Sequence, residues 1–209
     1  LFPYTTLFRS ILFKTILSKL YHWKIYVVGS VEYQYPNHLF QAGYFLDKKY
    51  YDENTIDFKH LLLSEKNQSL LKDIQNSNSV GVHIRRGDYM TKQNLVIFGN
   101  ICTQKYYHDA IRIITEKVND AVFYVFSDDI SWVQTHLDIP NAVYVNWNTG
   151  ESSIYDMYLM SSCKYNIIAN STFSYWAARL NKKTNMVIYP SKWYNTFTPD
   201  IFPESWCGI

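Results

Sequence analysis

Ser79-Val-Gly-Val-His-Ile84, followed without a break by Arg85-Arg-Gly-Asp-Tyr89, is an apolar strand-like run that ends in a cluster of charged side chains. The run reads as a buried strand. Downstream the same kind of run recurs as AVFYVF (121–126), AVYVN (142–146), YNIIA (165–169) and NMVIY (185–189). Between these runs lie helical patterns over Gln104–Val118, Ile130–Leu137, Ser152–Ser162 and Phe173–Asn181. Strands alternating with helices of this length predict βαβ units, hence an α/β fold with a Rossmann-type parallel sheet covered on both faces. In such sheets ligands bind beyond the carboxyl ends of the strands, so the residues just after each apolar run are where chemistry is sought.

Three clusters occupy those positions: His83–Tyr89 (HIRRGDY), Ser127–Asp129 (SDD) and Asn170–Ser174 (NSTFS). Alternation along the strand sends Arg85 and Arg86 to opposite faces, so at most one points into a cleft directly. A guanidinium stays charged and offers a fork of donors suited to phosphate, although both arginines could equally serve as structural ion pairs, with Asp88 as a partner. His83 stands where it could bond a base or a ribose, or act as a satisfied histidine behind the site. Asp128 and Asp129 suit acid/base work, the N–H edge of a purine such as guanine, or capping of the next helix. Asn170 or Ser171 suits the N-cap of the following helix, with Thr172, Phe173 and Ser174 in its first turn, and free N–H groups there suit a diphosphate.

Composition excludes several classes. The chain of 209 residues is 47% hydrophobic and 18% charged, which argues against disorder, and its formal charge of +2 gives no broad basic face for nucleic acid. Cys102, Cys163 and Cys207 form an odd, scattered set that signals neither a disulfide framework nor a zinc site, so a reducing compartment is the default. No third acid stands near Asp128 and Asp129 to complete an oxygen-ligand site, so no metal is expected. The stretch Ser10–Val28 is interrupted by Lys14, Lys19, His22 and Lys24 and does not read as a membrane span. Nineteen tyrosines, 12 phenylalanines and 6 tryptophans suit a sugar-handling surface or simply an aromatic core.

The amino-terminal part is less regular. Leu1–Ser10 (LFPYTTLFRS) resembles translated sequencing adapter and is expected to carry no biology. Residues 11–20 have a helical apolar pattern, and Ile25–Val28 is a short β-branched run. The expected division is residues 1–77 as a partial amino-terminal domain and 78–209 as a Rossmann-type domain.

The motifs together resemble a known family. VHIRRGDY resembles the HxRRxD motif of α-1,2- and α-1,6-fucosyltransferases and protein O-fucosyltransferases. FSDDISWV, DMYLMSSCKYNIIANSTFSYWAARLN, PSKWYN and FPESW are similar to blocks of glycosyltransferase family 11, in order, and the likeness runs from about Gly43 to Ile209. Family members usually carry Trp where this chain has Tyr175. They also open with a glycine-rich segment containing GNQ, which does not occur here before HIRRGDY, so the chain is expected to lack the first strand and helix of the amino-terminal domain.

That resemblance implies a GT-B-like architecture of two Rossmann-type domains and an inverting galactoside 2-α-L-fucosyltransferase using GDP-fucose without a metal or other cofactor. Arg85 would contact the β-phosphate, with Asp88 the candidate base and Arg86 beside them. His83 with Asp128 or Asp129 would hold the guanosine, Ser127 would adjoin them, and Asn170 to Ser174 would meet the phosphates through the helix start. The implied partners are GDP-fucose and a galactose-terminated glycan, with peripheral contact to a membrane and no nucleic acid. The implied location is the bacterial cytoplasm, at the inner membrane, or the Golgi membrane in a eukaryote. A non-catalytic nucleotide-sugar-binding module or a lectin-like surface built from the tyrosines are the competing readings.

Overall fold

A computed structural model describes residues 26–28, 40–42 and 57–209. The chain divides into two compact units, Leu1–Asp52 and Glu53–Ile209. In the first, strand β1 (Tyr26–Val28) pairs in parallel with β2 (Phe40–Ala42), placing a strand on most of the β-branched run. The helical pattern over residues 11–20 and the opening ten residues lie outside the described residues.

The second unit is built on a six-stranded sheet. Its strands are β3 (Asn78–Ile84), β4 (Ala121–Ser127), β5 (Ala142–Val145), β6 (Tyr165–Ile167), β7 (Met186–Tyr189) and β8 (Cys207–Gly208). All five pairings are parallel, and the order across the sheet is β5-β4-β3-β6-β7-β8. Taken in chain order this is the 3-2-1-4-5-6 arrangement of dinucleotide-binding sheets, with the reversal of direction between β3 and β6. The first and third of the sequence clusters follow those two strands, so the topology brings them to the switch point.

Alternation along β3 sorts the two layers. Val80, Val82 and Ile84 enter a core with Tyr107, Ala110, Ile111 and Ile114 of helix α3 (Gln104–Lys117) and Val133 of α4 (Ile130–His136). On the opposite face Tyr124, Phe126 and Val187 pack with α1 (Glu65–Asn76), α5 (Ser153–Ser161) and α6 (Thr172–Arg179). Helix α1, which contributes Leu70 and Ile74, therefore packs within the unit of the sheet, although it precedes residue 78. Helices on both faces are what a sheet with apolar strands requires, because each face must leave water.

The element boundaries follow local chemistry. The side chain of Ser64 caps α1 by accepting from Asn67 N, and that of Thr103 caps α3 by accepting from Tyr106 N. The short helix α2 (Lys92–Phe98), capped by Thr91, was not legible as a helix because it buries no side chain and so has no apolar stripe. The residues between β7 and β8 are organised by aromatic packing, with buried Tyr175 edge-on to Trp176, Trp193, Phe202 and Trp206. Its hydroxyl donates to the Ile201 carbonyl at 3.1 Å, so tyrosine at this position is fully accommodated.

Gly81 marks the closest approach of α5 to the sheet. A Cβ there would lie 2.9 Å from Asn166 Nδ2 and 3.0 Å from Met160 Cγ. Asn166 cannot give way cheaply, because its amide donates to the Met160 carbonyl at 2.9 Å and accepts from Asn181 at 3.0 Å. Gly81→Ala should therefore destabilise the fold by about 1–3 kcal/mol, measured by urea denaturation, the cost expected for overpacking a tight core. An unchanged midpoint would show that the helix can move away freely.

Candidate functional site

Strand β3 ends at Ile84, so Arg85 and Arg86 lie in the turn and not on the strand. Alternation no longer separates them, and both reach the same neighbouring segment. Arg85 Nη1 is 3.0 Å from Asp128 Oδ2 and its Nη2 is 2.7 Å from Asp88 Oδ1. The Arg86 backbone N–H donates to Asp128 Oδ1 at 2.8 Å, and its Nε donates to Asp129 Oδ2 at 3.3 Å. The Arg86 guanidinium also lies 3.6 Å from the centroid of the Trp132 ring, a cation–π contact that fixes its plane.

Asp128 thus bridges the Arg85 side chain and the Arg86 backbone, and both its oxygens are engaged. Asp129 is N-cap of α4, accepting from Trp132 N at 3.1 Å, while Ser127 Oγ accepts from Asp129 N at 3.0 Å. The SDD turn accordingly works as a frame for the two arginines, its carboxylate oxygens meeting Arg85, Arg86 and the Trp132 N–H. Gly87 is part of the same frame: a Cβ there would stand 2.4 Å from Asp128 Oδ2. The turn then enters a 3-10 helix over Gly87–Met90, which carries Asp88 back to Arg85.

His83 is on the α1/α5/α6 side of β3 and is buried, with its ring 5.1 Å from Phe173 of α6. Among the described residues its Nδ1 has no hydrogen-bond partner. Burial first, and the Arg85 charge second, pull its pKa down to about 3, so it is a neutral imidazole at any physiological pH. A buried polar atom without a partner is uncommon and suits a ligand group.

The NSTFS segment splits into structural and available parts. Asn170 is fully used: its amide donates to the Trp193 carbonyl at 3.0 Å and the Phe98 carbonyl at 3.5 Å, and its Oδ1 accepts from Cys102 Sγ at 3.3 Å. Ser174 Oγ bonds the Ala169 and Ser171 carbonyls. Ser171 occupies the N-cap of α6, yet its side chain makes no capping bond. Of the rest of this cluster, the Phe173 ring stands beside His83.

A further polar cluster escaped the sequence reading. Asn148 donates to Asp156 Oδ1 at 2.6 Å and to Asn67 Oδ1 at 3.1 Å, and Asn67 also accepts from Trp147 Nε1 at 2.7 Å. Trp147 and Asn148 follow β5, and Asp156 and Asn67 stand in the first turns of α5 and α1, so the cluster sits on the strand-end rim of the sheet. Burial raises the Asp156 carboxyl to about 7, with the Asn148 bond opposing. The isolated acid in a helical pattern, without a charged neighbour, was the only trace of this cluster in the sequence.

All three cysteines are free, and burial raises the Cys102 thiol to about 12, which leaves it unreactive. Among the described residues, no group of three or more His, Cys, Asp or Glu side chains is placed to hold a metal ion. No helix among them is long and apolar enough to cross a membrane.

A doubly wound parallel sheet with charged turns beyond its strand ends defines an α/β protein of the Rossmann type. The model of the family described as Glycosyl transferase family 11 matches residues 6–209, and the chain belongs to that family. It is 35% identical over 196 residues to an alpha-1,2-colitosyltransferase of Escherichia coli, covering 87% of this chain and 63% of that protein. It is 44% identical over 122 residues to the O-antigen biosynthesis glycosyltransferase WbnK of Escherichia coli, covering 57% and 40%. Against galactoside alpha-(1,2)-fucosyltransferase 2 of Pongo pygmaeus it is 28% identical over 163 residues, covering 72% and 48%. The chain thus spans less than two thirds of the length of these relatives. A solved structure of the fucosyltransferase NodZ from Bradyrhizobium aligns over 86% of this chain and 60% of that one, with TM-score 0.45 and 16% identity.

Asp156 generates a pH prediction. The folded chain keeps its proton up to about pH 7, whereas the unfolded chain releases it near 3.8. Between those values the unfolded state binds fewer protons, so this residue's contribution makes stability fall as pH rises. Asp156→Asn should flatten that part of the profile between pH 4 and pH 7, read as the difference in denaturation midpoint between variant and parent at each pH. Parallel profiles would show that Asp156 is ionised throughout.

Proposed function

We propose that this chain carries the donor-binding half of an inverting glycosyltransferase that moves L-fucose from GDP-fucose to the 2-hydroxyl of a terminal galactose. The observation that carries the proposal is the position and bracing of Arg85. It stands at the topological switch point, held from two sides by Asp88 and Asp128, with neutral His83 two residues before it on β3 and the start of α6 beyond the neighbouring strand β6. Two of its five N–H donors meet those carboxylates, and the remainder can face a phosphate.

In the reaction the bond between the sugar anomeric carbon and the β-phosphate oxygen breaks, and its electron pair leaves with GDP. The acceptor oxygen attacks the opposite face of that carbon and gives up its proton. Negative charge grows on the β-phosphate as the bond lengthens, so a guanidinium fixed in advance stabilises the transition state more than the bound donor. The free N–H groups at the start of α6, around Ser171 and Thr172, suit the same diphosphate. We assign Arg86 to holding Asp128 and Asp129 in place and His83 to a hydrogen bond with the nucleoside. Asp88 is assigned to the acceptor proton while its other oxygen orients Arg85. No metal takes part in this scheme, the arginine doing what a divalent ion would do for the leaving group. The setting that suits it is a membrane surface where glycans are built.

The family membership supports glycosyl transfer. The names of two relatives, an alpha-1,2-colitosyltransferase and a galactoside alpha-(1,2)-fucosyltransferase, support the α-1,2 linkage, and the second supports fucose. Titration of the chain with GDP, UDP and ADP in EDTA should show selective binding of GDP, and preference for another base would end the guanine reading. Arg85→Ala should lower transfer from GDP-fucose to methyl β-galactoside by about a hundredfold to a thousandfold, the usual loss for one preorganised donor. Full turnover in that variant would remove the phosphate role, and activity restored by manganese after EDTA treatment would refute a metal-free mechanism.

A further inference from the structure

Arg86 carries its charge in a more demanding setting than Arg85. Its side chain is 19% exposed against 33% for Arg85. Among the described residues it nevertheless meets one carboxylate oxygen, Asp129 Oδ2 at 3.3 Å, where Arg85 meets two, at 2.7 and 3.0 Å. A charge taken out of water needs compensation, and one long contact supplies little of it. Trp132 supplies more, its ring receiving the guanidinium 3.6 Å from the centroid. An aromatic face is negative, and a flat, weakly hydrated guanidinium stacks on it with little desolvation cost.

The ring is itself held in place. It stacks on the imidazole of His136, one turn further along α4, at 4.6 Å with 10° between planes, and His136 Nδ1 lies 2.9 Å from the Trp132 carbonyl. The Trp132 backbone N–H donates to Asp129 Oδ1 at 3.1 Å, while the other oxygen of that carboxylate accepts from Arg86 Nε. Asp129, Trp132 and Arg86 thus close a triangle of contacts. From Arg86 the hold passes on, its backbone N–H donating to Asp128 Oδ1 at 2.8 Å, with Asp128 Oδ2 3.0 Å from Arg85 Nη1.

We propose that Trp132 is a positioning residue for glycosyl transfer: its ring holds Arg86, Arg86 holds Asp128, and Asp128 sets the Arg85 guanidinium toward the departing phosphate. The proposal rests on the reading of Arg85 as the phosphate-binding group. Without the ring, the Arg86 charge would be left with the single Asp129 contact and would gain by turning to water, disturbing the backbone that meets Asp128. Arg85 would keep its charge but lose its fixed direction. Such a loss weakens the transition state more than the bound donor, because the phosphate charge grows as the bond breaks. Trp132 also packs at the edge of the core. A purely structural role there predicts lost stability that does not depend on Arg86.

The test uses the whole chain, with kcat and KM measured for transfer from GDP-fucose to methyl β-galactoside. Trp132→Leu, which keeps apolar bulk, should lower kcat about tenfold and leave KM for GDP-fucose within about twofold, as loss of a partly desolvated cation–π contact predicts. Trp132→Tyr should retain at least about a third of the parent kcat, because a ring face remains. Arg86→Lys leaves the indole in place and removes the planar group that stacks on it, so it should lower kcat by a similar factor, and it carries the test if Trp132→Leu does not fold. In an Arg86→Ala background, Trp132→Leu should change kcat by less than about twofold, since losses along one chain of contacts do not add. Unchanged kcat in Trp132→Leu or Arg86→Lys, a rise in KM alone, a tyrosine variant as slow as the leucine variant, or the same loss persisting beside Arg86→Ala would each overturn the proposal. A parent chain that binds GDP but transfers no sugar would instead remove the transfer reading, and the positioning role with it.

Discussion

The carboxylate of Asp128 holds the end of β4 to the turn after β3, one oxygen on the Arg85 side chain and the other on the Arg86 backbone N–H. That bridge helps to fix the path of a turn whose residues have already left the strand ladder. Gly87 is glycine for the same reason, since the bridge passes where a Cβ would be. The dependence runs outward: Asp129 caps α4 and holds Arg86, Trp132 of α4 covers Arg86, and Asp88 completes the bracing of Arg85. A charge held in advance by such neighbours needs little rearrangement when a ligand charge develops beside it.

The switch-point geometry divides polar groups into those that hold the fold and those left for a ligand. Asn170 and Ser174 spend their side chains on backbone carbonyls, where an unpaired buried carbonyl would be costly. His83 does the reverse: it is buried, neutral and has an Nδ1 without a partner among the described residues. Asp156 is different again, a carboxyl whose raised pKa reflects desolvation within an amide network. One rim of the sheet thus carries a charged pair frame, an orphaned imidazole and a near-neutral acid within a single layer of loops.

The aromatic content, ambiguous as composition, separates into two populations. Tyr175 packs with Trp193 and Phe202 of the segment that joins β7 to β8, and these rings serve the fold. Tyr89, Phe98, Tyr194 and Phe197 form a second group whose outer member faces water.

Periodicity alone was enough to place the five longer strands and the helices between them, because buried parallel strands need unbroken apolar runs and covering helices need stripes. It was likewise enough to point to His83–Tyr89, Ser127–Asp129 and Asn170–Ser174, since strand ends on a parallel sheet share one edge. The resemblance of these motifs to glycosyltransferase family 11 was visible in the same residues, and the family match agrees. Sequence could not reveal α2, which has no buried face, nor β8, which is two residues long. Nor could it assign roles within a cluster, because that depends on partners far along the chain. Asp128 meets Arg86 from 42 positions away, and Asn170 meets Phe98 from 72. Which carboxylates brace arginines, which amides clip loops and which imidazole nitrogen is left without a partner are settled only when folding brings those residues within bonding distance.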